Sequence, residues 1–158
     1  MTLAASRSVQ HGMFVIEREF AHAPARVFAA WADPQAKGQW FAAPAGQWKV
    51  LERKMDFRVG GRERLRGEWN GGRVSDFDAT YHDIVQDRRI VYSYAMHIDE
   101  KKISVSLATI EVAPAGKGTK LVLTEQGAFL DGYDDAGSRE RGTAALMDNL
   151  AKSLGGTP

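Results

Sequence analysis

The clearest pattern of apolar and polar positions lies near the C-terminal end of the chain. Apolar or small side chains recur three or four residues apart at Thr143, Leu146, Met147, Leu150 and Leu154. This spacing places them on one stripe of an amphipathic helix. Most of the chain before the stripe has the pattern of strands, so we expect one long helix to lie across a curved sheet. That geometry often leaves a hollow between helix and sheet, where a functional site would lie.

Alternating apolar residues predict strands along the rest of the chain. Met13 and Val15 alternate in the first strand, predicted from His11 to Ala21. Two short helices are predicted between Pro24 and Phe41, and about six further strands joined by short turns follow as an antiparallel meander. The order of strand, two short helices, six strands and long helix is typical of the α+β class, with helices packed on one face of a sheet.

The segment between the last strand and the long helix is rich in glycine, aspartate and aromatic residues. We expect the last strand to end at Glu125 and this segment to form a loop. Asp134 or Asp135 is expected to cap the helix, and Ser138 to cap or enter it. The loop lacks the ligand order of an EF-hand, and the four histidines of the chain show no metal-ligand spacing. The sequence therefore predicts no metal site and no cofactor.

Two glutamates are predicted to face inward. Side chains alternate along a strand, so Leu65 places Glu63 on the inner face of its strand, and Leu123 does the same for Glu125. A buried carboxylate is costly unless it is paired or hydrogen-bonded, and an apolar environment raises its pKa. Each glutamate thus has two interpretations. It reaches water or pairs with an arginine, or it faces a ligand and acts as an acid or base.

Aromatic and aliphatic side chains on the inner faces are candidates for the wall of a pocket. Core packing is an alternative explanation for the aromatic residues, and the two overlap because a pocket wall is part of the core. The predicted ligand-binding residues are Trp40, Leu65, Phe77, Tyr81, Tyr92, Tyr94, Met96, Leu107, Leu123, Phe129, Met147 and Leu150.

Composition narrows the class of protein. A chain of 158 residues suits one domain, expected over residues 11–155 after a flexible N-terminus at residues 1–10. Lys and Arg number 21 and Asp and Glu 20, so net charge provides no long-range attraction to nucleic acid or anionic membranes. Cysteine is absent, and no apolar run has the length of a signal peptide or a membrane span. We expect a cytoplasmic protein that binds no nucleic acid.

Several segments together resemble a known superfamily. "APARVFAAWADPQAKGQWF" (Ala23 to Phe41) resembles the opening of the SRPBCC superfamily, which has the helix-grip fold of START domains and birch-allergen proteins. "DFRVGGRERLRGE" and "GKGTKLVLTEQGAFLDGYDDAGSRERGTAALMDNLAKSL" are similar to its branch related to the activator of the heat-shock chaperone ATPase. The resemblance extends from about Met13 to Leu154.

The resemblance implies a seven-stranded antiparallel sheet that grips the C-terminal helix, with a cavity between them for hydrophobic small molecules. Some members are polyketide cyclases or dehydratases. This chain has Gly142-Thr143 where many members have Gly-Trp, which would enlarge the cavity, and Glu63 where an aromatic residue is common, which would make it more polar. The co-chaperone role of eukaryotic members depends on a domain outside the resemblance, so it is not expected here.

Three hypotheses of function follow. The first is binding of a small hydrophobic or amphipathic molecule in the cavity. The second is a cyclase- or dehydratase-type enzyme without metal, with Glu125 or Glu63 as general base and a tyrosine, such as Tyr81, as hydrogen-bond donor. The third is a chaperone-related module that binds a protein partner through the arginine-rich strands between Arg58 and Arg73. Exposed edge strands leave homodimerisation open.

Overall fold

Residues 7–155, which a computed structural model describes, form seven strands and three helices. The strands make one antiparallel sheet in the order β1-β7-β6-β5-β4-β3-β2. In chain order the elements are β1 (Val9–Phe20), α1 (Pro24–Ala32), α2 (Pro34–Gly38), β2 (Trp48–Met55), β3 (Arg62–Trp69), β4 (Val74–Val85), β5 (Arg89–Ile98), β6 (Lys101–Ala115), β7 (Gly118–Leu130) and α3 (Ala136–Ser153).

All three helices pack on the inner face of the sheet, where the core lies. Val27 and Phe28 of α1, Leu121 of β7 and Leu150 of α3 are almost completely buried and belong to a single apolar cluster. The predicted α+β fold, with a curved seven-stranded sheet around the C-terminal helix and two short helices between the first two strands, is confirmed. Within residues 7–155, no helix combines the length and the apolar character needed to cross a bilayer.

The first strand begins earlier and faces differently from the prediction. The N-terminus predicted to be flexible covers residues 1–10. Residues 1–6 lie outside the described part of the chain, whereas Val9 already pairs with Leu130, so β1 begins two residues before the strand start predicted at His11. Met13, whose side chain helped to predict the strand, is 62% exposed, and the buried side chains are Phe14 and its neighbours of the same parity.

The last strand continues past Glu125, where the sequence placed its end. Its pairing with β1 extends to Leu130, so the predicted loop is shorter than expected. Gly127 lies opposite Gly12 on β1, and a Cβ atom at Gly12 would lie only 2.4 Å from the Cβ of Ala136. The absence of a side chain at Gly12 therefore lets the start of α3 approach the sheet closely, as a glycine allows.

Leu107, which the sequence predicts for the pocket wall, lies on the other face of the sheet. Its side chain is 39% exposed on the outer face of β6, where it lies opposite Ser93 and Gln126 of the neighbouring strands. The inner face at this level carries Ser104 and Ser106 instead. Both faces of β6 carry apolar residues, so alternation within the strand did not identify the inward set, and only the register with β5 and β7 decides it.

The long helix follows its predicted pattern. Thr143, Met147, Leu150 and Leu154 are buried against the sheet, and Leu146 is half-buried. Asp135 is the N-cap, because its Oδ1 accepts a hydrogen bond of 2.8 Å from the backbone N–H of Ser138. That contact satisfies one of the free N–H groups at the helix start.

Candidate functional site

A pocket of about 470 Å³ lies between α3 and the inner face of the sheet. Its lining includes two exposed residues, Pro44 in the loop after α2 and Ala145 on α3. Most of the wall is apolar and aromatic: Trp31, Trp40, Phe41, Trp48, Leu65, Trp69, Phe77, Tyr92, Tyr94, Met96, Leu123, Leu146 and Met147. Concave apolar spaces with a few polar groups are typical of small-molecule sites.

The pocket contains most of the side chains that the sequence predicted for it. Those that line it are Trp40, Leu65, Phe77, Tyr92, Tyr94, Met96, Leu123 and Met147, together with the predicted acid Glu125. Tyr81, Phe129 and Leu150 are buried but lie outside the wall, and Leu107 faces solvent on the opposite side of the sheet. Whether the lining residues bind a ligand stays a prediction.

The polar end of the pocket is a cluster of three side chains, Glu125, Tyr94 and Arg139, called here the Glu125 cluster. The Tyr94 hydroxyl donates to Oε2 of Glu125 at 2.8 Å and accepts from Nη1 of Arg139 at 2.8 Å. The guanidinium lies 3.8 Å from the same carboxylate oxygen. Tyr94 therefore connects the carboxyl group of Glu125 and the guanidinium of Arg139 in a network that is almost fully shielded from water.

Arg139 was not identified from the sequence. It lies in the first turn of α3, where an arginine is normally solvated, yet its side chain is only 10% exposed. Its Nη2 donates to Ser104 at 2.7 Å and to Asp134 at 3.0 Å, while its guanidinium lies over the rings of Tyr94 and Phe129. The signal that could have indicated it was the inward-facing Glu125, because a buried carboxylate needs a partner.

Burial sets the protonation behaviour of the Glu125 cluster. Loss of hydration raises the pKa of Glu125, while the Tyr94 hydrogen bond and the charge of Arg139 partly lower it again. Burial and the neighbouring carboxylate also raise the pKa of Tyr94, so its hydroxyl keeps its proton and remains a donor. Glu125 is thus a buried acid that exchanges its proton at a higher pH than an exposed glutamate.

Replacing Glu125 by glutamine is expected to remove a pH-dependent loss of stability. In the folded protein the pKa of Glu125 lies above its ordinary value of 4.5, so the native state retains a proton that the unfolded chain has released. The free energy of unfolding therefore falls as pH rises from about 4.5 through the raised pKa. Urea unfolding of both proteins between about pH 4 and pH 8 tests this. Parallel curves would contradict the prediction.

A second buried cluster, called here the Lys37 cluster, consists of Lys37, Glu63 and Tyr81. Lys37 Nζ lies 2.6 Å from Oε1 of Glu63, and the Tyr81 hydroxyl donates to the same oxygen. The lysine and glutamate side chains are only 3% and 5% exposed. The ammonium group also lies 4.8 Å from the ring centre of Phe41 and 5.6 Å from that of Tyr92, distances at which a cation is attracted to an aromatic face.

Glu63 faces inward as predicted, but it does not line the pocket. The expectation that it makes the cavity more polar is therefore wrong, because the ammonium of Lys37 pairs with it behind the aromatic wall. Tyr81 likewise donates its hydroxyl to Glu63 and does not reach the pocket, which leaves it no access to a ligand there. Lys37 was missed because a lysine on a short, polar helix is normally exposed.

The chain is similar to one protein family and to several solved structures. Residues 21–155 match the family described as Activator of Hsp90 ATPase homolog 1-like protein. A protein from Rhizobium leguminosarum has 46% identity and a TM-score of 0.89, over 94% of this chain and 97% of that chain. The Mll3558 protein from Rhizobium loti has 46% identity and a TM-score of 0.86, over 92% and 99% of the two chains.

A more distant structure supports the fold alone. The AHSA1-like protein from Aeromonas hydrophila has 21% identity and a TM-score of 0.67, over 90% of this chain and 92% of that chain. No match was found among curated proteins. These similarities show the family and its fold.

Proposed function

Because the chain belongs to the family of Activator of Hsp90 ATPase homolog 1-like proteins, we propose that it binds a small amphipathic molecule in the pocket between α3 and the sheet. The observation that carries this proposal is the contrast within the pocket. Its walls are apolar and aromatic, whereas one end holds the buried Glu125 cluster. Apolar walls supply affinity through removal of ligand surface from water, and a few fixed polar groups supply orientation.

The polar end favours a ligand that donates a hydrogen bond. Arg139 uses its Nη1 and Nη2 groups on Tyr94, Ser104 and Asp134. Glu125 has four acceptor positions when ionised, and Tyr94 occupies one of them. The carboxylate therefore retains capacity to accept a hydrogen bond from a hydroxyl or amine. A ligand with an apolar body and one such group matches both parts of the pocket.

Two measurements test the proposal. Native mass spectrometry of protein purified from its host is expected to show a bound small molecule. Thermal unfolding with 2-naphthol and 1-decanol, which share ten carbons and one hydroxyl, is expected to show a raised melting temperature, since a ligand of the folded state at about 100 times its Kd adds about 2.7 kcal/mol of stability. Absence of a copurified mass together with no thermal shift for either probe would overturn the proposal.

A cyclase- or dehydratase-type reaction stays a prediction, and the pocket restricts its general base. Of the two candidate acids, Glu125 lines the pocket, whereas Glu63 is occupied by Lys37 and Tyr81. Tyr94, not Tyr81, has its hydroxyl beside the acid that lines the pocket. If the protein catalyses such a reaction, Glu125→Gln is expected to remove it.

The third hypothesis, a partner-binding module, also stays a prediction. Arg62 pairs with Asp78, and Arg64 pairs with Asp76, in each case with a shortest distance of 2.7–2.8 Å on the outer face of β3 and β4. These ion pairs neutralise much of the positive charge with which the arginine-rich strands would bind a partner. The arginine-rich strands therefore provide weaker support for that hypothesis than the pocket provides for ligand binding.

A further inference from the structure

The chain contains four tryptophans, and all four line the pocket. Trp31 and Trp40 are almost completely buried in the core. Trp48 and Trp69 are only half-buried and line the same pocket. Partly exposed indole rings in a fixed position present an apolar surface that a ligand can cover.

Trp48 and Trp69 are held rigidly side by side. They are directly opposite each other in the β2–β3 pairing, with ring centroids 6.0 Å apart and an angle of 32° between the planes. The indole N–H of Trp48 donates to the Ala43 carbonyl at 3.2 Å, and that of Trp69 donates to the Ser75 hydroxyl at 3.0 Å. Because both polar edges are bonded within the protein, the pair offers a ligand mainly its ring surfaces.

Gly67 fixes the position of Trp48 on the sheet. A Cβ atom at Gly67 would lie 1.6 Å from the Trp48 ring, so the indole rests directly on the glycine backbone. A ring seated in this way has little freedom left to lose when a ligand binds. Surfaces that are already ordered in the free protein lose less entropy on binding than flexible ones do.

We propose that Trp48 and Trp69 form a stacking surface that selects ligands with a flat aromatic ring system over ligands with a flexible aliphatic chain. The proposal rests on the function proposed above and specifies the class of its ligand. Aromatic pairs gain attraction beyond that of buried area alone, and a rigid ring loses fewer rotamers than an alkyl chain when it is immobilised. The ligand class is therefore a planar aromatic compound that carries a hydroxyl or amine.

Isothermal titration calorimetry with 2-naphthol and 1-decanol tests the selection. Trp69→Leu and Trp48→Leu keep an apolar side chain and remove the flat ring. Each is expected to weaken 2-naphthol binding by about 2- to 10-fold, while the Kd of 1-decanol changes by less than about twofold. Trp69→Phe, which keeps a flat ring, is expected to retain most of the 2-naphthol affinity. It shows that the weaker binding of Trp69→Leu comes from loss of the ring and not from unfolding.

Tyr133→Leu is the matched control, since Tyr133 is an exposed aromatic residue outside the pocket and is expected to leave both affinities unchanged. Equal losses for the two probes in the tryptophan variants, or no loss for either, would overturn the stacking proposal while ligand binding stands. If neither probe binds the unmodified protein, the stacking proposal fails, and the proposed function fails with it only when no small molecule copurifies with the protein.

Discussion

Replacing Lys37 by methionine is expected to lower the free energy of unfolding by about 3–5 kcal/mol. Methionine has a similar length and fits among the aromatic rings, but it leaves Glu63 without the ammonium group that lies 2.6 Å away. A buried carboxylate without its counter-ion loses the attraction that offset its dehydration. Tyr81 still donates one hydrogen bond to Glu63, so the loss is partial. Urea unfolding at constant pH measures it.

The control for this experiment is Lys54→Met, which removes a lysine that is 78% exposed and paired loosely with Glu52. Surface ion pairs contribute little, so its stability is expected to change by less than about 1 kcal/mol. The triple replacement Lys37→Met, Glu63→Leu and Tyr81→Phe removes every polar member of the Lys37 cluster and is expected to recover most of the lost stability. Equal effects of Lys37→Met and Lys54→Met would show that burial of the pair is unimportant.

Replacing Thr143 by tryptophan is expected to abolish ligand binding while the protein remains folded. Thr143 is buried on the inward stripe of α3 and lines the pocket. An indole from this position would project into a space of about 470 Å³ and compete with any ligand for the aromatic walls. Since a buried tryptophan covers about 150–250 Å² of surface, we expect the affinity for 2-naphthol to fall by more than about 100-fold.

Calorimetric titration and a thermal melt together test the Thr143→Trp prediction. The melting temperature is expected to stay the same or rise, because the new ring fills empty space that is already apolar. Glu140→Trp places the same side chain on the exposed face of α3 and is expected to leave binding unchanged. Unchanged 2-naphthol affinity in Thr143→Trp would mean that the probe binds elsewhere on the protein.

Much of the fold could be predicted because its signals are local. The stripe on α3 and the alternation along six of the strands specify element type without reference to distant residues. Glu63 and Glu125 were both assigned to the inner face from a leucine two positions away, and both are buried. The resemblance to the SRPBCC branch is confirmed by the family match over residues 21–155.

The predictions are wrong where the local pattern is compatible with more than one strand orientation or strand end. β6 has apolar residues on both faces, so its own pattern allows Leu107 to face inward, whereas the register with β5 and β7 places it on the outer face. β1 has Met13 and Phe14 in succession, and only the pairing with β7 decides which of them is buried. The end of β7 was placed too early because Gly127 resembles a loop residue, although its function there is to make room for the aromatic ring of Phe129.

The sequence by itself determined the elements, their order and the inward position of two acids, because those properties follow from spacings of two to four residues. Only the tertiary structure decided which partners those acids meet. Lys37 reaches Glu63 across 26 positions, and Arg139 reaches Tyr94 beside Glu125 across 45. Such contacts depend on how helices pack on the sheet, and no short-range periodicity encodes them. The same packing places the two acids in different environments, with Glu63 paired to Lys37 outside the pocket and Glu125 in the pocket wall.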